Sequence, residues 1–277
     1  MSLDPRIKSK YISVEGISIH YLESGESEDV LLLFHGWPTS AYLWRNILPE
    51  LGKKKRVIAI DLPGFGKSDK PLDASYNFPF YSKIITAFLK KLEINHLQIG
   101  VHDLGGPIGL FWVCQNMNRV DKLIIFNTLV YSDFSLAVAA FVTACSLPLV
   151  SDFLASEIGL EIAMRIGVSN PFHLSKEVIK AYQEPFQKLE ARKALIKAGK
   201  GLDGKGFVFI EKKILSFNKP IRIIYGAEDR ILPEIQNTVS KLKKDLSHAE
   251  SYMLENCGHF LQEEKSTEIV KLLIDWI

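Results

Sequence analysis

The sequence predicts an α/β fold with a mostly parallel central sheet, helices on both faces, and a helical cap inserted after the sixth strand. Three observations predict it. Short runs at residues 30–34, 57–60, 97–101, 123–126 and 221–225 are aliphatic or aromatic nearly throughout, as in parallel strands buried on both faces. Turns or helix-length segments separate them, as repeated βα units require. The chain has 277 residues, enough to bury one large core, so one α/β domain with an insertion fits better than a string of modules.

The elements follow in chain order. Residues 11–14 and 17–21 alternate around Glu15-Gly16 and read as an antiparallel hairpin at the sheet edge. The apolar runs then alternate with expected helices at 80–92, 107–117, 232–246 and 267–276. Between the strand ending near Asn127 and the strand starting near Ile221 lie about ninety residues of helical periodicity with no clear strand. Pro148, Pro171, Pro185 and the stretch 199–206 punctuate them, which favours several short helices over one long one. The expected division is a core from 1 to 129, a helical cap from 130 to 214, and the rest of the core from 215 to 277.

Lys and Arg number 34 and Asp and Glu 32, a net charge of +2. With no long single-sign run, nothing electrostatic calls for a nucleic acid or an anionic membrane surface. The lysines at 53–55 and 241–244 read as solvated faces. The first residues carry no signal-peptide pattern, and the longest apolar stretch, 134–150, is interrupted by Ser135, Thr143, Ser146 and Pro148, so a cytoplasmic protein without a membrane span is expected. Cys114, Cys145 and Cys257 match no zinc spacing and read as reduced thiols. Nothing specifies an oligomeric state.

The strongest local signal is Gln98-Ile99-Gly100-Val101-His102-Asp103-Leu104-Gly105-Gly106, a buried strand turning at once into a helix. A tight elbow of this kind needs small residues after the tip, where a Cβ would meet the neighbouring chain. Its tip is Asp103. A carboxylate there can attack an sp³ carbon and form an ester of the enzyme; taken alone, it can equally be a helix cap. Two further strings decide between these. Glu255-Asn256-Cys257-Gly258-His259-Phe260 puts a histidine in a loop before the final helices. Tyr225-Gly226-Ala227-Glu228-Asp229 puts an acid at a strand's carboxyl end, where α/β sheets build their sites. Asp229 is favoured over Glu228 by the Gly-x-x-Asp spacing. The segment 61–69 contains Gly-Lys-Ser, but a P-loop needs glycine where Asp61 stands.

Together with His35-Gly36-Trp37-Pro38-Thr39-Ser40, Tyr42-Leu43-Trp44-Arg45-Asn46, residues 61–71, Asp103 to Leu110, Tyr182-Gln183-Glu184-Pro185-Phe186 and Gly258 to Glu264, these strings make the chain resemble the α/β-hydrolase superfamily along nearly its whole length. Within it the chain is most similar to the aspartate-nucleophile branch, to haloalkane dehalogenases first and epoxide hydrolases next. The nucleophile-acid-base order along the chain is that of the family. The resemblance implies Asp103 as nucleophile, His259 as general base and Asp229 as its orienting acid. It also implies an oxyanion hole from the backbone N–H groups of Trp37 and Leu104, a buried structural His35, a structural Gly-x-Gly-x-Ser turn at 64–68, and a pocket to which Trp37, Tyr131, Tyr182, Phe186 and Phe260 contribute. It implies no metal, no cofactor, and a small uncharged organic substrate.

One departure bears on the reaction. Haloalkane dehalogenases hold the departing halide with a tryptophan after the nucleophile and with either a cap tryptophan or an asparagine after His-Gly. Here those places hold Leu104 and Trp37, and no tryptophan lies between Trp112 and Trp276. Each such donor is worth on the order of 2 to 4 kcal/mol. Trp37 can supply its indole N–H or simply pack. Epoxide opening is the alternative, with hydroxyls of Tyr131 and Tyr182 as the proton donors. A hydrolase fold that binds without useful turnover is the third reading, and the intact triad counts against it.

Overall fold

The strands are β1 (Lys8–Val14), β2 (Ile17–Ser24), β3 (Val30–Phe34), β4 (Arg56–Ile60), β5 (Leu97–Asp103), β6 (Val120–Thr128), β7 (Ile221–Gly226) and β8 (Glu250–Leu254). In the computed structural model, which describes residues 3–133 and 135–277, they form a single sheet in the order β1-β2-β4-β3-β5-β6-β7-β8. The hairpin stands at one edge, where β2 alone runs against the other strands, antiparallel to both β1 and β4, and every pairing from β4 to β8 is parallel. Its turn places Glu15 at φ 51° and Gly16 at φ 76°, two successive left-handed residues, the geometry that matches strand twist in a two-residue hairpin.

The apolar runs are buried on both faces. Leu32, Phe34, Ile58, Ile60, Ile99, Val101, Leu123 and Ile125 pack into one apolar cluster, and Leu31, Leu33, Val57, Ala59, Ile124 and Phe126 into another. The alternation follows the two-residue period of a strand, with a packed layer on each side. The winding direction reverses between β3 and β5, because β4 lies on one side of β3 and β5 on the other. Open α/β sheets build their sites at the carboxyl ends of strands at such a switch point. Trp37 follows the end of β3, and Asp103 ends β5.

The helices are α1 (Leu48–Leu51), α2 (Phe78–Lys91), α3 (Gly105–Gln115), α4 (Leu136–Ser146), α5 (Pro148–Leu154), α6 (Glu157–Ile166), α7 (Lys176–Gln183), α8 (Leu189–Gly199), α9 (Gly204–Ile214), α10 (Ile235–Asp245), α11 (Leu261–Glu264) and α12 (Ser266–Leu273). From β6 to β7 the described chain is helical, α4 to α9, with the expected breaks: Pro148 opens α5, and Pro171 and Pro185 lie in short 3₁₀ turns. The Asn77 side chain caps α2 by accepting from Phe80 N, so that helix starts two residues earlier than its periodicity suggests. The expected helix at 232–246 starts instead at Ile235; before it the chain turns around Asp229, whose Oδ1 accepts from the Ile231 and Leu232 amides.

Among the described residues no single helix is long and apolar enough to cross a membrane; α4 and α5 together have the composition but meet at 106°. Phe134, at the start of the 134–150 stretch, and the first two residues lie outside the described residues. Cys114, Cys145 and Cys257 are buried and unpaired.

Candidate active site

One residue separates β5 from α3, and the turn between them is sharp. Asp103 sits at φ 51°, a left-handed conformation that short polar side chains tolerate better than most and that costs about 1 to 3 kcal/mol. Close backbone approach holds it there. A Cβ on Gly36 would lie 2.0 Å from Asp103 Oδ1, and one on Gly106 would lie 1.6 Å from Thr128 Oγ1. The Thr128 hydroxyl donates to the Asp103 carbonyl at 2.6 Å, fixing the elbow to the end of β6.

The two carboxylate oxygens of Asp103 face different partners. Oδ1 accepts from the Trp37 amide at 2.5 Å, and the carboxylate also accepts from the Leu104 amide. Oδ2 lies 3.2 Å from His259 Nε2, and His259 Nδ1 lies 2.8 Å from Asp229 Oδ2. Asp229 is fixed in turn by the amides of Ile231 and Leu232, at 2.8 and 2.7 Å from Oδ1, and by the Asn127 side-chain amide, 2.6 Å from Oδ2. The structure thus brings Asp103, His259, Asp229 and the Trp37 and Leu104 amides together. Glu228 is exposed, so of the two neighbouring acids only Asp229 reaches the histidine.

Burial alone would strip the proton from His259, but the charges of Asp229 and Asp103 overcome it and raise its pKa to about 10. Burial would likewise raise both carboxyls, yet the histidine holds each below the usual carboxylate range. These directions favour an imidazolium between two carboxylates at neutral pH. Its contribution to stability is complete below pH 6.5, the ordinary histidine value, and is lost as pH rises towards 10; that of the carboxylates is present above pH 3.8 and lost in acid as they protonate. Nitrogen-15 NMR is expected to find His259 protonated at neutral pH, and Asp103→Asn is expected to lower its midpoint. An unprotonated ring at pH 7 would contradict this electrostatic picture. His102 behaves oppositely: burial pushes it down to about 3, and its Nε2–H donates to the His259 carbonyl at 2.9 Å.

The remaining sequence-predicted residues divide. Trp37 is buried, packs edge-on against Phe141, and among the described residues its indole Nε1 finds no partner. Phe186 is buried in the same apolar cluster. Phe260 packs edge-on against His259, in the cluster on the opposite face. Tyr131 and Tyr182 correct the expectation that they offer hydroxyl protons beside Asp103. The Tyr131 hydroxyl donates to Asp245 at 2.8 Å and that of Tyr182 to Glu263 at 2.5 Å, and a hydroxyl has one proton to give. His35 is buried, accepting from Leu62 N through Nε2. Within the 61–69 turn, Asp61 accepts from Lys67 N, and its carboxylate also takes the Ala41 amide and His20.

Sequence reasoning missed Asn127, which holds both Asp229 and the Gly226 amide. Its only signal is a polar residue ending an apolar strand. Among the described residues no group of three or more His, Cys, Asp or Glu is placed to hold a metal ion.

Residues 29–156 match the family model described as alpha/beta hydrolase fold. The haloalkane dehalogenase of Psychrobacter cryohalolentis is 28% identical over 94% of this chain and 88% of its own length. The cis-3-alkyl-4-alkyloxetan-2-one decarboxylase of Shewanella oneidensis is 26% identical over 95% of this chain and 86% of its own. The solved structure of the epoxide hydrolase CorEH superposes with a TM-score of 0.83 at 22% identity, covering 98% of both chains. The chain has the α/β-hydrolase fold, and over nearly its whole length it is similar in sequence to haloalkane dehalogenases.

Proposed function

We propose that the protein hydrolyses a carbon–halogen bond of a small uncharged organic substrate through an aspartyl ester on Asp103. The observation that carries this reading is the division of labour within one carboxylate. Oδ1 lies against the Trp37 amide, where an ester carbonyl would be polarised, while Oδ2 faces His259.

In the first step Oδ2 attacks the carbon bearing the halogen, the new C–O bond replaces the C–X bond, and halide leaves. Esterification removes the charge of Asp103, so His259 loses one of the two carboxylates that keep it protonated and releases its proton. Neutral His259, oriented by Asp229, then takes a proton from water attacking the ester carbonyl. The Trp37 and Leu104 amides hold the resulting oxyanion. As it collapses, His259 protonates the departing alkoxide, and the proton of the regenerated carboxylic acid returns to His259. The sum is halide, alcohol and one proton from substrate and water.

The halide reading is favoured over epoxide opening by where the donors stand. Tyr131 and Tyr182 already donate to carboxylates, whereas the Trp37 indole N–H is buried with no acceptor among the described residues. An unpaired buried donor costs about 1 to 3 kcal/mol, and a halide beside it would remove that cost. Trp37→Phe deletes the donor and keeps an aromatic ring. It is expected to slow bromide release from 1-bromobutane by about 100-fold, with unfolding temperature unchanged; a loss below twofold would leave Trp37 a packing residue. The function itself is tested by assaying bromide release from 1-bromobutane against diol formation from styrene oxide. Diol without bromide would favour the epoxide hydrolase reading. Neither product, with ligand binding unaltered in Asp103→Ala, would favour a hydrolase-fold binding protein.

A further inference from the structure

The loop that carries His259 does not hold itself in place. His259 is flanked on both sides by contacts with the chain just after α6, inside the helical insertion. The Phe260 amide donates to the Gly167 carbonyl at 2.9 Å. A Cβ on Gly258 would lie 2.7 Å from that carbonyl oxygen and 2.8 Å from Ser169 N, and one on Gly167 would lie 2.3 Å from the Phe260 ring. The two segments are interlocked at backbone distance.

A single carboxylate closes this junction. Glu264 ends α11, and its side chain is fully buried. Oε2 accepts from the Gly258 amide at 2.7 Å, while Oε1 accepts from the Ser169 amide at 2.9 Å and the Ser169 hydroxyl at 2.5 Å. His173 Nδ1 is 3.4 Å from the same oxygen, half exposed. Among the described residues no Lys or Arg forms an ion pair with Glu264. A buried carboxylate held chiefly by backbone N–H groups makes short, charge-assisted bonds, and its loss orphans the amides it satisfied.

We propose that Glu264 is a positioning residue for His259: by tying Gly258 to Ser169 it makes the seating of the insertion set the placement of the base, and it serves ester hydrolysis rather than ester formation. This rests on the proposed aspartyl-ester reaction. Asp103 attacks from an elbow fixed by β5, Gly36 and Thr128, away from the contacts of Glu264, whereas water activation depends on the placement of His259 Nε2. Displacements approaching 1 Å cost about 100-fold in such a step.

The test uses the full chain with 1-bromobutane as probe, reading alkylated protein by intact mass and bromide by rapid quench. Glu264→Gln is expected to form the ester within about threefold of the wild-type rate, to hydrolyse it about 10 to 100 times more slowly, and so to accumulate alkylated Asp103 during turnover. Glu264→Asp, which restores the charge one methylene short, is expected to recover part of the hydrolysis rate and stands in should Glu264→Gln fail to fold. Lys241→Met is the control for a loosened insertion, since Lys241 on α10 pairs with Asp133 and Glu211 away from this junction; it is expected to accumulate no ester. Equal slowing of both steps in the Glu264 variants, a lowered unfolding temperature without ester, or ester in Lys241→Met would each overturn the proposal. Ester in His259→Gln but none in the Glu264 variants overturns this inference alone, while ester in neither overturns the reaction on which it rests.

Discussion

Asp103→Asn is expected to lower kcat for bromide release by about 10⁴-fold or more while the protein remains folded. In the proposed reaction the residue supplies the bond-forming oxygen. Asparagine is the informative replacement because it shares the tolerance for the left-handed conformation that Asp103 adopts at φ 51°, so the elbow survives and the loss reports on chemistry. It keeps an acceptor for the Trp37 amide at Oδ1, removes the charge and the nucleophilicity, and puts an amide NH2 where Oδ2 faces His259. Because His259 then faces one carboxylate in place of two, its pKa falls in the same variant. Activity within tenfold of wild type, measured by halide release, would remove Asp103 from the reaction.

His259→Gln is expected to stop the protein half-way. Ester formation asks nothing of the imidazole, whereas ester hydrolysis needs it to take a proton from water. The variant should become alkylated once, on Asp103, and stay so, with steady-state turnover down by about 10³-fold or more. Intact mass after exposure to 1-bromobutane should rise by one butyl group, and peptide mapping should place it on the segment containing Asp103. Gln retains hydrogen-bonding capacity in the space between Asp103 and Asp229, which limits the effect on folding. A variant that loses turnover without gaining mass would mean that His259 acts before or during attack, contrary to the division of steps proposed.

The sheet could be read in advance because parallel strands buried on both faces leave a compositional trace that needs no partner to interpret. The runs at 30–34 and 97–101 are β3 and most of β5, the two strands at the winding reversal. That Asp103, His259 and Asp229 would meet was legible because each stands in a local string whose shape is dictated by the adjacent strand end. Asn127 was not, since nothing near it in sequence shows that β6 and β7 would lie side by side and bring it to Asp229, 102 residues away. The tyrosine hydroxyls were misread for the same reason. Their acceptors, Asp245 and Glu263, are 114 and 81 residues distant, and a hydroxyl's direction is set by its acceptor. Composition around an element is a local property; the partner of a buried polar group is a tertiary one. The start of α10 was misplaced by the same logic, because the turn that Asp229 gathers, through the amides of Ile231 and Leu232, occupies the residues just before Ile235.

In the proposed reaction the oxygen delivered to the product comes from Asp103 and is replaced on the enzyme by water. A single turnover in oxygen-18 water, with enzyme in excess over 1-bromobutane, separates this from direct attack by water. Attack by Asp103 leaves the butanol unlabelled and puts one oxygen-18 atom in the peptide containing Asp103. Labelled butanol together with an unlabelled Asp103 peptide would contradict it.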